Sequence, residues 1–173
     1  MKILSSDKRI RRMAENAVLV AASMILSFIE SVIPIAALPI PGFKLGLPNI
    51  ALTVAAYRYS VKDAVLISLC RIILTFFLFG NPTSFIFSIF GSVLSLTALA
   101  LTKNRAFSEH FSFIGVSVIC ALAHNSGQLI ASLLLIGDAA FGYTLPLVAA
   151  SAVYGTLNGV ILNLIPDKIY NKK

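Results

Sequence analysis

Six apolar segments, separated by short turn-forming stretches, are the sequence feature that most constrains the fold. Most approach the roughly 20 residues that a helix needs to cross a bilayer, although the second is short. They cover approximately residues 14–33, 45–59, 64–79, 84–101, 113–136 and 144–165. We therefore predict an all-α membrane protein, a bundle of six transmembrane helices with an ordered outer loop between helices one and two.

Composition supports a membrane protein. Hydrophobic residues make up 58% of the chain and charged residues 12%, with a mean hydropathy of +0.91. An ordinary soluble domain carries about 25% charged residues, enough to cover its surface. The composition excludes a conventional cytosolic enzyme, a disordered protein and a nucleic-acid-binding domain.

The basic residues predict the orientation. Of 14 Lys and Arg residues, all but Lys44 and Arg71 fall in segments that lie on one side if both termini are cytoplasmic. This is the positive-inside pattern for an even number of spans. We expect a basic cytoplasmic segment at 1–13, a six-helix domain at 14–166 and a basic cytoplasmic tail at 167–173. The expected location is a bacterial cytoplasmic membrane.

The loop at 34–48 reads PIAALPIPGFKLGLP and differs from the other loops. Its four prolines disfavour a helix, and its apolar residues are unusual for an exposed connector. We interpret it as an ordered outer lid packed across the bundle. An extended connector is the alternative interpretation.

Polar residues recur every three or four positions along five of the six segments, which places each set on one side of its helix. Polar groups in a membrane are costly, so the spacing predicts that these sides face inward around a common cavity. Close helix contacts through small residues are the alternative. The sets are Ser23, Ser27 and Glu30; Ser68, Arg71 and Thr75; Ser84, Ser88, Ser92 and Ser95; Ser117, His124, Gln128 and Ser132; and Ser151, Tyr154 and Asn158.

Arg71 is the strongest individual signal, because a guanidinium halfway along a spanning helix needs a partner or water. It binds an anionic ligand, forms a structural ion pair with Glu30, the acid available within the membrane, or does both. His124 is either a hydrogen-bonded bundle residue or part of a binding site with Asn125 and Gln128. A metal site is not expected, because one His without other close ligands supplies too few donors.

The acids argue against catalysis. No two of the seven acids are close in sequence, and the chain has no P-loop, Asp-rich Mg²⁺ motif or nucleophile–base signature. We expect a protein that is not an enzyme and needs no cofactor. Active transport would require an ion or a partner.

Several strings resemble the heptaprenyl diphosphate synthase component I family, also called the Gx transporter family. AHNSGQL at 123–129 is the most specific of them. The others are LGLPNIALTVAAY at 45–57, FGNPTSFIFSIFGSVLSL at 79–96, IGVSVICALAHNSGQLIAS at 114–132 and YGTLNGVILNLI at 154–165. The resemblance implies a role in making the polyprenyl tail of menaquinone. Without Asp-rich sites, the chain would be a non-catalytic membrane partner in that role.

The predicted architecture is also similar to the substrate-binding S components of energy-coupling factor (ECF) transporters. That likeness implies a vitamin-like or small organic substrate, a lid formed by the first outer loop, and partners comprising a transmembrane coupling subunit and ATPases. Ala17 and Ala21 match the AxxxA contact spacing that many S components carry in helix one.

The leading hypothesis is therefore a membrane substrate-binding subunit of an ECF-type transporter. It would bind a small anionic organic molecule in the outer half of the bundle and contact membrane lipid, but not nucleic acid. The alternatives are a non-catalytic membrane subunit associated with heptaprenyl diphosphate synthesis, or a membrane subunit of a redox complex. Candidate substrate-binding residues are Glu30, Lys44, Asn49, Arg71, Asn81, His124, Asn125, Gln128, Tyr154 and Asn158, and candidate partner-binding residues are Ala17 and Ala21.

Overall fold

The computed structural model describes residues 2–32, 44, 46–104, 111–166 and 169–170, and these contain helices but no strand. The elements are α1 (Lys2–Val32), α2 (Asn49–Arg58), α3 (Val61–Phe79), α4 (Pro82–Thr102), α5 (Phe113–Ile136), a 3₁₀ segment (Gly137–Tyr143) and α6 (Thr144–Leu164). The predicted all-α class is confirmed for this part of the chain. Most of the predicted lid lies outside the described residues, which include only 44 and 46–48 of it.

Helix boundaries follow local chemistry. Ser60 caps α3 by accepting a hydrogen bond from the Asp63 amide at 3.3 Å, and Asn81 caps α4 by accepting one from the Ser84 amide at 2.8 Å. Such caps satisfy amides that have no partner within the helix. Gly137 ends α5 with a φ of 62°, in the left-handed region that favours glycine.

Two elements differ from the sequence-based boundaries. Helix α1 begins at Lys2 rather than near residue 14, since Lys and Arg are good helix formers and Arg11 pairs with Glu15 one turn later. Helix α2 has only 10 residues, because the chain turns at Gly46 and Pro48 before it. At 1.5 Å per residue, α2 spans about 15 Å, half of a bilayer's hydrocarbon core.

Three stretches of the described chain are long and apolar enough to cross a membrane: Asp7–Val32, Pro82–Thr102 and Phe113–Leu164. The last combines α5, the 3₁₀ segment and α6. Six independently recognisable spans were predicted, but α2 is too short, and the 19-residue α3 carries Lys62, Asp63 and Arg71.

Helices α4, α5 and α6 pack closely through glycines. A methyl group added at Gly127 in α5 would lie 2.3 Å from the Phe90 carbonyl oxygen of α4. One added at Gly159 in α6 would lie 2.4 Å from the Ile114 Cα of α5. These contacts bring backbones together as small residues do in membrane bundles. Helices α1 and α2 pack against α3, which also contacts α4.

The surface is rich in large apolar side chains, and the interior combines apolar clusters with many buried polar residues, unlike that of a soluble domain. Phe77, Leu145 and Leu164 are at least 77% exposed, whereas the polar stripes point inward. As their spacing predicts, most stripe residues are buried, whereas Ser84 and Tyr154 are only half-buried. The buried ones are Ser23, Ser27, Glu30, Ser68, Arg71, Thr75, Ser88, Ser92, Ser95, Ser117, His124, Gln128, Ser132, Ser151 and Asn158. This arrangement suits a protein whose solvent is lipid.

Candidate functional site

A turn at Gly46 fills the space between the polar stripes. Its φ of 82° lies in the left-handed region, which glycine adopts without steric cost. The Gly46 amide donates a short hydrogen bond to Glu30 Oε1 on α1, and its carbonyl accepts one from Asn158 Nδ2 on α6 at 3.3 Å. The Leu47 amide also donates to Glu30 Oε1, at 3.3 Å. Helices α1 and α6 therefore hold the backbone of Gly46 between them.

Lys44 enters the same interior two residues earlier. Its ammonium Nζ donates to Ser88 Oγ on α4 at 2.7 Å. Its amide donates to Gln128 Oε1 on α5 at 3.3 Å, and its carbonyl accepts from Gln128 Nε2 at 3.2 Å. Gln128 thus pairs with the Lys44 backbone through one accepted and one donated hydrogen bond, as neighbouring β-strands do. The predicted inward-facing polar sides are present, but they enclose a segment of the chain itself rather than one wide cavity.

Arg71 lies behind this turn and is 2% exposed. Its Nη1 donates to Ser27 Oγ on α1 at 3.2 Å, and its Nη2 donates to Ser92 Oγ on α4 at 3.0 Å. The ion pairs among the described residues are Arg11–Glu15, Arg12–Asp63 and Arg58–Glu15, so Arg71 and Glu30 do not form one. Among the described residues, the guanidinium donates hydrogen bonds to neutral hydroxyls only.

Several buried polar atoms around the turn have no hydrogen-bond partner within the part of the chain that the structure describes. They are Glu30 Oε2, Asn49 Oδ1, Arg71 Nε, both ring nitrogens of His124 and Asn158 Oδ1. Each such atom costs free energy that a partner would recover, about 1–3 kcal/mol and more for a charged group. Unpaired donors and acceptors therefore converge on one region. We name the residues of this region the Gly46 cluster: Glu30, Lys44, Gly46, Asn49, Arg71, His124, Gln128 and Asn158.

His124 is fixed in this cluster by a glycine. A methyl group added at Gly91 on α4 would lie 2.6 Å from the His124 ring, so the imidazole sits directly on the α4 backbone. The ring also faces Gly46, whose added methyl would lie 3.8 Å from His124 Cδ2.

A cleft of about 40 Å³ leads from the surface to Lys44. Ser27, Thr75 and Ser88 supply hydroxyls along it, and rings such as Phe76 and Phe79 form its apolar wall. Since a water needs about 10–15 Å³ of such volume, the cleft has room for about three waters. That is comparable with one carboxylate or phosphate group beside the Lys44 ammonium.

Three of the predicted site residues lie apart from these contacts. Asn125 faces α6, where its Nδ2 donates to Ser151 Oγ at 2.7 Å and to the Leu147 carbonyl at 3.1 Å. Asn81 is exposed and caps α4. Tyr154 is half-buried on α6. The remaining seven substrate-binding candidates all belong to the Gly46 cluster.

Sequence reasoning missed the part that backbone plays. The backbone of Gly46 lies at the centre of the cluster, yet glycine has no side chain that could mark this role in the sequence. Ser88 and Ser92 bind Lys44 and Arg71 directly, although serines of this spacing also occur as ordinary helix contacts. No pattern separated these two serines from the others.

A second charged cluster joins the N-terminal parts of α1 and α3 to the end of α2. Arg12 forms a two-point ion pair with Asp63, which also accepts from Asn16 Nδ2 at 2.9 Å. Arg58 and Tyr59 contact Glu15 Oε2, the former at 2.7 Å. We name Arg11, Arg12, Glu15, Asn16, Arg58, Tyr59, Ser60 and Asp63 the Asp63 cluster.

The electrostatics of Asp63 identify this second cluster as an ion-pair network. Burial raises the pKa of Asp63, but hydrogen bonds from Arg12, Ser60 and Asn16 outweigh it and hold the pKa at about 2. The carboxylate therefore stays ionised at any physiological pH.

The candidate partner face lies on the outside of α1. Ala17 and Ala21 are both exposed, and the large apolar side chains Val18 and Ile25 beside them are 68% and 60% exposed. Within the described residues, this face is free for lipid or for another helix.

The family model for heptaprenyl diphosphate synthase component I matches residues 19–165. The match covers the Gly46 cluster, α2 to α6 and the C-terminal part of α1, from residue 19. Neither the curated proteins nor the solved structures contain a significant match to the chain.

Proposed function

The chain belongs to the heptaprenyl diphosphate synthase component I family, and we propose that it acts as the membrane substrate-binding subunit of an ECF-type transporter. Its ligand is a small organic anion that enters the cleft beside Lys44 and reaches Arg71. One observation carries the proposal: among the described residues, no carboxylate forms a salt bridge with the buried Arg71 guanidinium, which lies among unpaired polar atoms and donates to Ser27 in the wall of a cleft that opens to the surface. Such an arrangement favours binding over structural support.

The Gly46 cluster supplies both kinds of group that an organic anion needs. Arg71 and Lys44 provide positive charge, and the paired donors of a guanidinium match a carboxylate or phosphate. Glu30, His124 and Asn158 offer directional hydrogen bonds to the rest of the molecule. The turn at Gly46 already forms hydrogen bonds with Glu30 and Asn158. A ligand therefore either replaces these bonds or uses the remaining donors and acceptors of the same side chains.

The proposed topology has six membrane crossings with both termini in the cytoplasm. In this topology the turn at Gly46 and the short α2 together make the second crossing, and α1 and α4–α6 enclose the polar sides of α2 and α3. In a background without Cys70 and Cys120, a cysteine replacing Asp138 should react with a membrane-impermeant reagent in intact cells. One replacing Lys172 should react only after lysis. An accessible Lys172→Cys site would defeat the six-crossing topology.

The exposed Ala17–Ala21 face is the proposed contact for the transmembrane coupling subunit, which carries the ATPases. Leucine at either position should prevent close helix approach and abolish co-purification with that subunit. Ligand binding should persist, because the Gly46 cluster lies more than two helical turns farther along α1. Val153→Leu on the exposed face of α6 is the matched control. Lost ligand binding with intact association would reverse the assignment of the two sites.

The decisive experiment identifies the ligand. Protein purified gently from its native membrane is denatured, and the released small molecules are analysed by mass spectrometry. The wild type should release an organic anion that is absent from the Arg71→Met variant. A ligand released equally by both proteins, or one without an anionic group, would contradict the proposal.

A second candidate function is favoured by the family match itself. The chain would then be a non-catalytic membrane subunit associated with heptaprenyl diphosphate synthesis. Co-purification separates the two functions, since the first predicts coupling ATPases and the second a soluble prenyl synthase.

A further inference from the structure

An apolar groove runs between α3 and α4 on the outside of the bundle. Its volume is about 260 Å³, several times that of the cleft at Lys44. Leu69 and Ile73 of α3 and Ile89 and Val93 of α4 form its walls, and all four are at least 37% exposed. In a membrane, this groove faces the lipid chains.

The groove and the cleft are neighbours. Ile72 and Phe85 line both of them, so two side chains separate the apolar volume from the hydroxyls and the ammonium of the cleft. Phe85 is only partly buried and belongs to the first turn of α4. A molecule passing over these two side chains would place one end in each compartment.

One side chain, Ser92, connects the base of the groove with the buried cation. Ser92, which accepts from Arg71 Nη2, lines the groove, as does Ser68, whose buried Oγ has no partner. The positive charge of Arg71 therefore lies directly behind an apolar channel. An anion with an apolar chain complements this pairing better than either a free anion or a neutral lipid does.

We propose that the ligand is a single-chain amphiphile whose terminal anionic group, a carboxylate or phosphate, binds in the cleft while its chain lies in the groove. The proposal rests on the function proposed above and narrows its substrate class. The cleft has room for one such group, which excludes phospholipids whose phosphate carries a further headgroup, and the one groove beside it accommodates one chain. The groove follows α4 from Phe85 to Leu96, which is about 16 Å, or half of the hydrocarbon core. The chain would run parallel to the lipids within about one leaflet.

The chain contains no tryptophan, which makes a site-specific test possible. Three variants carry one reporter each: Val93→Trp in the groove, Phe79→Trp in the cleft and Val153→Trp on the lipid face of α6. They are placed in phosphatidylcholine nanodiscs and titrated with dodecyl phosphate brominated at its chain end, whose bromines quench nearby tryptophan fluorescence. Brominated dodecanol is the neutral control, and dibromopropionate is the anion without a long chain.

The proposal predicts saturable quenching at Val93→Trp by the brominated phosphate, but only a linear response at Val153→Trp. Lys44→Met, added to the Val93→Trp variant, should raise the midpoint by at least about tenfold, the factor that corresponds to about 1.4 kcal/mol. Brominated dodecanol should give the linear response at both positions, because it partitions into the bilayer without an anionic anchor.

Two outcomes overturn the proposal. Either Val93→Trp responds linearly, like Val153→Trp, or it saturates equally with dodecanol; in both cases the groove holds ordinary lipid. Dibromopropionate tests the broader function separately. Suppose that dibromopropionate quenches Phe79→Trp saturably and that an added Arg71→Met change removes this response. The proposed anion-binding function then stands, even if the results at Val93→Trp contradict the amphiphile proposal. If Phe79→Trp and Val93→Trp both respond linearly, the results contradict the anion-binding function as well as the amphiphile proposal.

Discussion

The two charged clusters of this protein differ in the hydrogen-bond partners of their charged side chains. In the Asp63 cluster, all four oxygens of Glu15 and Asp63 accept hydrogen bonds from side chains, most of them from arginines. In the Gly46 cluster, Glu30 accepts only from backbone amides and has one oxygen without a partner. Arg71 donates only to serines.

Burial sharpens the contrast. Arg12 retains 47% of its side-chain exposure, so water shares the cost of its charge. Arg71 and Glu30 are 2% and 4% exposed, and neither is neutralised by direct contact. Buried charges without partners destabilise a fold. The Asp63 cluster therefore fastens helices together, whereas the Gly46 cluster retains a cost that binding can offset.

The largest expected effect is on ligand binding. Arg71→Met should weaken binding of the released anion by about 2–5 kcal/mol, because the anion would remain buried without a charged partner. Arg71→Lys, which keeps the charge but loses the paired donors, should weaken it less. Equilibrium binding to the purified protein measures both effects.

Folding provides the control for this change. Because Arg71 and Glu30 form no ion pair, Arg71→Met should fold, and adding Glu30→Gln should not restore affinity. If Arg71→Met misfolds and the double variant recovers both folding and binding, the two residues form a structural pair. The contrast between the clusters would then be wrong.

The second effect is on stability and belongs to the Asp63 cluster. Asp63→Asn removes the ion pair with Arg12 while keeping one acceptor oxygen, so the free energy of unfolding should fall by about 1–2 kcal/mol. Thermal unfolding in detergent measures the loss, and ligand affinity should stay unchanged. Asp138→Asn, which removes an exposed carboxylate, is the matched control. An affinity change in Asp63→Asn would mean that the two clusters are coupled.

Sequence periodicity predicted which side chains face inward, because helical geometry fixes that from spacing alone. Ser23, Ser27 and Glu30 on α1 and Ser88, Ser92 and Ser95 on α4 are all buried. The number of recognisable spans was harder to predict. Residues 64–79 were predicted as an apolar span, but the whole of α3 carries Lys62, Asp63 and Arg71, and only its packing shows how Arg71 is enclosed.

Side-chain partners could not be predicted from the spacing. His124 and Asn125 are adjacent, yet successive residues of a helix point about 100° apart. Their side chains consequently reach α4 and α6, respectively. Which of two neighbours reaches the Gly46 cluster depends on helix rotation, set by close contacts such as Gly127 against Phe90. The position of the Gly46 backbone depends on two long-range hydrogen bonds. Its partner Glu30 lies 16 positions away in the sequence, and its partner Asn158 lies 112 positions away.

A smaller effect should follow from pH. The pKa of Asp63 is about 2 in the folded protein, below the value of 3.8 expected without its partners. The stabilisation is therefore complete above about pH 5 and is lost as pH falls toward 2. Between pH 6 and pH 4, the free energy of unfolding should decrease by only about 0.3 kcal/mol from this group. Thermal unfolding across that range measures it, and Asp63→Asn should remove this contribution.

The smallest expected effect concerns the outermost ion pair of the Asp63 cluster. Arg11 is 78% exposed and contacts Glu15 Oε1 at 2.9 Å, one turn along α1. Since water replaces most of that contact, Arg11→Gln should change the free energy of unfolding by less than about 0.5 kcal/mol. Arg58→Gln should cost more, because Arg58 is only 26% exposed and its Nη1 also donates to the Ile169 carbonyl at 3.0 Å. Chemical unfolding of the two variants side by side compares them. Equal losses would show that the number of ionic contacts, rather than their burial, sets the strength of this cluster, and the contrast with the Gly46 cluster would lose its physical basis.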